Sequence, residues 1–419
     1  LHPRVRRQRQ MCIRDRFLMA LIAGKSLSQN QPVRIKAEHP RLILSSTDIE
    51  LMRGNALSGI EPWKTAWKKL ESEIDGYADE KWKPNVYRGD ASMSFYKAAI
   101  RDGSAARDLA IGYQITKDKR YAHKAIEIIN EWSSPKNAPG TYFDPDKFYP
   151  NTGMLVSRGV FAFLYAYDLL CADNLIGKSK QKQFEAWLRI LLPHIEEGVK
   201  RWVENDYFGK QYFQNHIVAE VVGLMSIGII LRDNELVNYV YDGETNPHNI
   251  KKVIEGIILM KGQPPYCGEP GSWSTQDGEI MDRYRHFALT HYGQTTKPNR
   301  ALQYAGLSTN LLMIAAEMGR LNGLDLHHYV APTGESIKLP LLFYADFYIT
   351  KDASIKGGFY TGEDSWINYN DQSVFTLWEV GHVRYPEEKI FNEVLHTNDR
   401  TAHNLHLLGP VILTHGRCI

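Results

Sequence analysis

Apolar side chains recur at helical spacing through most of the chain, from about Ser46 onward. Two segments, Leu155–Leu170 and Ile217–Leu231, are apolar on nearly all sides, whereas Gln181–Trp202 is apolar on one face only. Helices of the first kind are typical of a protein interior, and helices of the second kind cover it. The pattern therefore predicts an all-α protein with two layers of paired helices, an α/α barrel or toroid.

Short polar connectors rich in Gly and Pro separate most of the predicted helices. The helices are expected at 47–57, 61–76, 93–117, 119–133, 151–172, 178–204, 212–232, 246–261, 299–323 and 335–350. Strict alternation is scarce, and the best candidate strands are 356–360 and 372–378. Minor β or irregular structure is therefore expected near the C-terminus.

Two long connectors interrupt the helices, at 138–152 and 261–299. A connector of that length in a compact domain is usually functional. The second one is rich in aromatic and basic side chains of the kind that bind sugars, and its candidate substrate-binding residues are Trp273, Arg283, Tyr284, Arg285 and Tyr292. Two arginines at alternate positions cannot both face one ligand from a regular helix. One of Arg283 and Arg285 is therefore expected to bind substrate and the other to form an ion pair.

A cation and a phenol lie one helical turn apart at the head of the predicted helix 299–323. Arg300 and Tyr304 are spaced i,i+4 and so share a face, and Lys297 is a second cation nearby. Polar groups at the end of an apolar stripe are costly to bury unless they face a cleft or a partner. Arg300 and Tyr304 are therefore candidates for a functional site. The alternative is a snorkelling arginine and a core tyrosine with its hydroxyl satisfied.

Asn215 and His216 open another predicted helix, the apolar one that continues through Leu231. A helix start exposes unpaired backbone N–H groups and the positive end of the dipole, which makes it a natural carboxylate site. The alternative is that Asn215 is only a cap and His216 a satisfied core residue. Arg158, inside an apolar helix, needs either a cleft or a partner, and a structural ion pair is the alternative to substrate binding.

Composition narrows the class of protein. The 419 residues are 43% hydrophobic and 23% charged, as in a globular protein with a sizeable core. The net charge of +2 comes from the arginines of residues 1–16, and the rest is near neutral, which argues against a nucleic-acid binder with a basic surface. No HExxH, CxxC, GxSxG, P-loop or GxGxxG motif occurs. Neither a metal site nor an organic cofactor is therefore predicted.

The beginning of the chain does not resemble the rest. Residues 1–16 are dense in arginine without periodicity, and the apolar run Phe17–Gly24 is similar to a damaged secretory signal peptide, too short to span a bilayer. We therefore expect residues 1–36 to lie outside the folded domain and 37–415 to form it. Export to the periplasm or the extracellular space is expected, with no membrane span.

Several short motifs together resemble a known family. They are His39-Pro40-Arg41-Leu42-Ile43-Leu44, Tyr165-Ala166-Tyr167-Asp168-Leu169-Leu170, Gln214-Asn215-His216, Arg300-Ala301-Leu302-Gln303-Tyr304, Gly323-Leu324-Asp325-Leu326 and Trp378-Glu379. In this order over about residues 38–415, they are similar to the alginate-lyase superfamily of polysaccharide lyases. The resemblance implies an α/α barrel, exported by bacteria, that binds an anionic polysaccharide and cleaves polyuronates by β-elimination.

The resemblance also implies roles for individual residues. Asn215 and His216 match the family's Asn-His pair, and Tyr304 matches the catalytic tyrosine of its R-A-L-x-Y segment. Lys297 or Arg300 would occupy the cationic position beside it. No metal or cofactor is implied.

This chain departs from the family pattern in one place. The family joins its Asp-Gly segment almost directly to the R-A-L-x-Y helix, whereas here the longer stretch 282–299 intervenes. The second cation of the motif could then be Arg283 or Arg285, and Tyr284 or Tyr292 could replace Tyr304 as the reactive phenol. Because of this departure, alginate, a glucuronan or another uronate polymer would each fit as the substrate.

The chemistry of β-elimination explains these residue types. The C5 proton of a uronate is weakly acidic while its carboxylate is charged, so donors must stabilise the charge that develops there. Asn215, His216 and an arginine would supply them. A phenol, with an ordinary pKa of about 10, becomes a competent base beside a cation. One phenol could take the C5 proton and return it to O4 on the same face; for opposite-face elimination His216 becomes the base.

Two other functions remain compatible with the sequence. An α/α-toroid glycoside hydrolase would use two acids, for which Asp277, Glu279 and Asp282 are available. A non-catalytic polyuronate-binding protein would keep the cleft without turnover. The unsaturated product of a lyase absorbs ultraviolet light, which separates the three. The sequence predicts no oligomeric state.

Overall fold

The structure is a computed structural model that describes residues 33–137, 149–204, 213–263, 275–283, 300–358, 360–361, 376–403 and 407–419. Two short strands, β1 (Ile258–Leu259) and β2 (Glu279–Ile280), pair antiparallel. The helices of the described chain are α1 (Ser46–Leu57), α2 (Trp63–Ala78), α3 (Ser92–Thr116), α4 (Lys119–Ser133), α5 (Tyr149–Ala172), α6 (Lys178–Glu204), α7 (Asn215–Leu231), α8 (Asn234–Asp242), α9 (Ile250–Ile257), α10 (Ala301–Leu321), α11 (Lys338–Thr350), α12 (Leu377–Arg384), α13 (Lys389–Thr397) and α14 (Val411–His415).

The helices form an inner and an outer layer. Every residue of α7 from Asn215 to Ile230 is buried, and α10 is buried over nearly its whole length. In contrast, α2 buries one stripe at helical spacing, which includes Trp63, Trp67 and Leu70. The predicted all-α toroid of buried inner helices and amphipathic outer helices is therefore confirmed.

The inner helices follow one another around the ring. Helix α3 packs against α5, α5 against α7, and α7 against α10. The outer helices α4, α6 and α8 cover them. Helix α14 packs against α1 and α2, so the last described helix meets the first ones. This closure is the geometry of a toroid.

Polar side chains fix several helix starts. Ser45 accepts a hydrogen bond from the backbone N–H of Asp48, whose carboxylate returns the contact in a capping box at α1. Asp118, Asp233 and Asn249 cap α4, α8 and α9 in the same manner. These caps satisfy N–H groups that the helices leave unpaired, and they set where each helix begins.

The irregular elements differ from the prediction. The predicted helix 246–261 ends at Ile257, because the next two residues extend and pair with β2. The predicted strand 356–360 is wrong: residues 353–357 form turns, with positive φ at Lys356 and Gly357. The second predicted strand, 372–378, overlaps the start of α12, and its residues 372–375 lie outside the described chain. Helices α8, α12, α13 and α14 were not predicted.

Pairing of β1 with β2 pins two points of the chain together, and we call residues 258–263 and 275–280 the β clamp. The Gly278 N–H donates to the carbonyl of Leu259 at 2.9 Å, and the Thr275 hydroxyl donates to the carbonyl of Gln263 at 2.7 Å. Gly278 has a φ of +89°, and a Cβ there would lie 2.4 Å from the carbonyl oxygen of Leu339. Only glycine fits that position.

One described helix, α5, is long and apolar enough over Asn151–Ala172 to cross a membrane by length and composition. Its most apolar window is 94% buried inside the protein. This burial matches the position of α5 in the inner layer, where an apolar surface on all sides is required.

Candidate functional site

Helix α7 begins at the carboxylate of Asp282. Gln214 precedes the helix with extended backbone, and its side chain makes no capping bond. Instead the backbone N–H of Asn215 donates to Oδ2 of Asp282 at 3.1 Å, and the amide Nδ2 of Asn215 donates to Oδ1 at 2.7 Å. A carboxylate here satisfies an unpaired N–H group and complements the positive end of the helix. The sequence predicted that a carboxylate would bind at this helix start. At the first N–H of the helix, that carboxylate is the side chain of Asp282.

Asp282 also contacts α10. The hydroxyl of Ser308 donates to Oδ2 of Asp282 at 2.6 Å, and Asp282 is 0% exposed. Ser308 lies one turn after Tyr304 on the same face of α10. Helices α7 and α10 pack directly against each other. One buried carboxylate therefore ties Asn215 to the helical turn that follows Tyr304.

Arg300 and Tyr304 keep the spacing that the sequence predicted. Arg300 is the residue before the helix, with φ −113° and ψ 22°, and its carbonyl accepts the N–H of Tyr304 at 3.1 Å. Both side chains are half-buried. The apolar stripe behind them is buried at Leu311, Ile314 and Met318. Helix α10 begins slightly later than predicted, and Lys297 lies outside the described residues.

Arg158 packs on an aromatic ring rather than on an acid. Its guanidinium carbon lies 5.0 Å from the ring centroid of Tyr96, a cation–π contact. No carboxylate of the described chain pairs with Arg158, so the alternative of a structural ion pair is not seen there. Burial raises the pKa of Tyr96, Arg158 opposes that rise, and Tyr304 adds to it. These interactions place Arg158, Tyr96 and Tyr304 in one region.

Arg283 takes the ion-pair role that was expected of one of the two connector arginines. Its guanidinium binds the carboxylate of Glu279, and neither side chain is exposed. Arg285, the other arginine, lies outside the described residues. The same is true of three further substrate-binding candidates, Trp273, Tyr284 and Tyr292. Their predicted roles stay predictions.

The acids considered for a hydrolase are already engaged. Glu279 binds Arg283, and Asp282 accepts bonds from Asn215 and Ser308. Asp277 is exposed and accepts the backbone N–H of Lys261 at 2.7 Å. Both buried acids are thus held by partners within the protein. This arrangement disfavours the two-acid alternative.

Among the described residues, one group of metal-type side chains lies close together: Glu73, Asp108 and His403. The two ring nitrogens of His403 face the two carboxylates, at 3.1 Å from Glu73 and 3.2 Å from Asp108. Burial alone would lower the pKa of His403, but Asp108 and Glu73 raise it to about 9. A protonated imidazole donates a hydrogen bond from each ring nitrogen. In this structure the three side chains therefore form an ion-pair cluster.

Comparison with known proteins supports the family resemblance. Residues 60–251, which include Asn215 and His216, match the alginate lyase family. Two similar solved structures are an alginate lyase from Bacteroides ovatus and alginate lyase A1-III from Sphingomonas species A1. The resemblance to the alginate-lyase superfamily is confirmed.

The alginate-lyase fold extends over nearly the whole chain. The Bacteroides ovatus lyase superposes with a TM-score of 0.65 at 14% identity, over 90% of this chain and 99% of the other. The A1-III lyase gives 0.63 at 14% identity, over 94% and 100%. No curated protein matches the chain by sequence. Together, the family match and the alginate-lyase fold support the interpretation of this chain as a polysaccharide lyase.

Sequence reasoning overlooked three residues of this region. Asp282 was considered only as a hydrolase acid, and Ser308 and Tyr96 were not singled out. Two signals were available: a lone hydroxyl on the buried face of an apolar helix needs an acceptor, and a buried carboxylate needs donors. The pairing itself was hidden because Asp282 and Asn215 are 67 residues apart.

Proposed function

We propose that this polysaccharide lyase cleaves a uronate-containing polymer, alginate first among them, by β-elimination. The observation that carries the proposal is the contact of Asp282 with both Asn215 and Ser308. It brings the helix start with Asn215 and His216 next to the helix that carries Tyr304. The amide, the imidazole and the phenol that β-elimination requires thus belong to adjacent inner helices.

The proposed roles follow from charge. Asn215, His216 and Arg300 bind the carboxylate of the sugar and stabilise the negative charge that develops when C5 loses its proton. Tyr304 accepts the C5 proton and passes it to O4, so that the C4–O4 bond breaks and a C4–C5 double bond forms. The elimination needs no water as a reactant and leaves an unsaturated uronate at the new chain end.

Relatives support this choice of residue types. Alginate lyase A1-III has been solved as a Tyr-to-Phe variant and as a His-to-Ala variant, each complexed with a tetrasaccharide. Tyr304 and His216 are the residues of those types in the motifs that resemble the family. The contacts of Glu279 with Arg283, and of Asp282 with Asn215 and Ser308, support a lyase over a two-acid hydrolase.

The test is incubation of the purified protein with alginate, polymannuronate, polyguluronate, glucuronan and glycosaminoglycans. A lyase produces new ultraviolet absorbance from the unsaturated uronate, and the proposal expects it with at least one uronate polymer. New reducing ends without absorbance would show a hydrolase. Binding without either product would show a non-catalytic polyuronate-binding protein.

We also propose that the protein is exported. The support is the apolar run Phe17–Gly24 followed by a polar segment, which is similar to the remnant of a secretory signal. Fractionation of cells that express the gene with its native upstream sequence tests this, and activity retained in the cytoplasm would contradict it.

A further inference from the structure

We propose that Asp282 is a positioning residue for the elimination: it orients the amide of Asn215 and fixes the separation of Asn215 from Tyr304. The inference rests on the proposed function, because it assigns a task within that reaction. Asp282 itself touches no substrate in this scheme. It acts through Asn215 on one side and through Ser308 on the other.

The first step of the argument is the orientation of the Asn215 amide. A carboxylate can only accept hydrogen bonds, so the nitrogen of the amide must face Asp282 and the oxygen must face away. The distance of 2.7 Å from Nδ2 to Oδ1 fits a charge-assisted bond. One hydrogen of Nδ2 is used by Asp282, and the second remains to donate to a sugar carboxylate. Asp282 thereby selects the amide rotamer that offers a donor.

The second step concerns the spacing of the two helices. Oδ2 of the same carboxylate receives the Asn215 backbone N–H at 3.1 Å and the Ser308 hydroxyl at 2.6 Å. Ser308 is one helical turn from Tyr304. The two oxygens therefore bridge the first residue of α7 and the second turn of α10. A shift of Asp282 changes the distance between the donor amide and the phenol.

The third step is burial. Asp282 is 0% exposed, and Asn215 and Ser308 are 1% and 0% exposed. Hydrogen bonds in such surroundings hold their geometry firmly, since no water competes for them. A misplacement of about 1 Å in a reacting group can cost about 10²-fold in rate. The network is thus well suited to hold the geometry of a proton transfer.

The test compares Asp282→Asn with a matched control, Asp168→Asn. Asp168 is also 0% exposed and accepts backbone N–H bonds from Arg41 and Leu42, at 2.9 and 2.8 Å, but it contacts neither Asn215 nor Ser308. Both variants lose a buried charge and should lose stability. Only Asp282→Asn should lose kcat, by about 10²-fold with KM changed by less than about threefold. Equal kcat losses in the two variants would overturn the inference.

A double-mutant cycle asks whether Asp282 works through Asn215. If it does, Asp282→Asn added to Asn215→Ala should lower kcat by less than about twofold more than Asn215→Ala alone. Full multiplication of the two losses would show independent roles and overturn the inference. Should Asp282→Asn fail to fold, Ser308→Ala replaces it: we expect a kcat loss of about tenfold, and an unchanged kcat would count against the bridge.

A second readout needs no turnover. In protein labelled with ¹⁵N-asparagine, the side-chain amide protons of Asn215 should be protected from exchange, and Asp282→Asn should remove that protection whereas Asp168→Asn should keep it. An unchanged Asn215 signal in Asp282→Asn overturns the inference whatever the activity. If the wild-type protein shows the signal but cleaves no polyuronate, the proposed function fails while the positioning of Asn215 stands.

Discussion

The two ends of α10 each hold a fully buried carboxylate, yet the fold surrounds them differently. At the C-terminal end, Glu317 binds Arg384 at 2.6 Å, Arg320 at 3.0 Å and His327 at 2.8 Å. Burial alone would raise the pKa of Glu317, but hydrogen bonds from His327, His415 and Arg384 hold it well below its usual range. Two arginines and a histidine surround this carboxylate.

At the N-terminal end, the contacts of Asp282 with Asn215 and Ser308 come from neutral donors, an amide and a hydroxyl. Nearby, Arg158 packs on Tyr96 and has no carboxylate partner within the described chain. The difference separates two tasks. The contacts of Glu317 join α10 to neighbouring segments, whereas the contacts of Asp282 with Asn215 and Ser308 fix the position of one amide beside α10.

The largest effect is expected at the N-terminal end. Tyr304→Phe removes the proposed acid and base, so kcat should fall by about 10³-fold while the thermal midpoint stays within the error of the measurement, because the hydroxyl is at a half-buried position. Initial rates of ultraviolet product and a melting curve check both parts. Full activity in this variant would move the reactive phenol to Tyr284 or Tyr292.

At the opposite end, Glu317→Gln should affect stability and not chemistry. Removal of the central charge leaves Arg384, Arg320 and His327 without their shared partner, and such a loss costs about 3–5 kcal/mol in the free energy of unfolding. Denaturant titration measures it. The kcat of the folded fraction should be unchanged, and a kcat loss at unchanged stability would contradict the division of tasks between the two ends.

A third buried acid, Asp108, is expected to contribute to stability in a way that depends on alkaline pH. Asp108 contacts Arg107 and His403, and the pKa of His403 is raised from 6.5 to about 9. A raised histidine pKa adds stability that is complete below pH 6.5 and is lost as the pH rises through 9. The wild-type free energy of unfolding should therefore fall over that range, on the order of 1–2 kcal/mol after screening at the half-exposed Glu73.

The control is His403→Gln, followed by denaturant titration from pH 6 upward. The variant should lack the alkaline fall while keeping the kcat of the folded enzyme. A difference between wild type and variant that stays constant with pH would show that folding does not raise the pKa of His403.

The smallest effect is expected at Arg158, which pairs with no carboxylate of the described chain. Arg158→Met removes the charge beside Tyr96 and keeps much of the apolar stem, so KM for a polyuronate should rise about tenfold, near 1.4 kcal/mol, with kcat little changed. Arg120→Met is a matched control, because Arg120 is exposed and binds Asp118. Equal KM values in both variants would remove Arg158 from the substrate-binding surface.

Much of the fold could be predicted because the sequence of each inner helix by itself indicates that the helix is buried. Leu155–Leu170 and Ile217–Leu231 are apolar on all sides, and a helix of that kind must be enclosed. The short elements could not be predicted in the same way. Strands β1 and β2 have two residues each, too few for any period, and they depend on a partner about 20 residues away.

The candidate site likewise contains some residues whose arrangement the sequence could predict and others whose partners it could not. The spacing of Arg300 and Tyr304 is a property of one helix, so it was visible in the sequence and is retained in the structure. The roles of Asp282 and Arg283 depend on which distant group each one meets. Periodicity carries no information on that, and the same charged run is equally consistent with a solvated cluster.

The β clamp separates variation in the chain from the position of Asp282. It closes the chain at residues 263 and 275, just before the segment that carries Asp282. Because the hydrogen bond between residues 263 and 275 itself holds the two ends together, the pairing of β1 with β2 does not depend on the number of residues between them. Insertions or deletions between those two anchors would therefore leave the contacts of Asp282 with Asn215 and Ser308 in place.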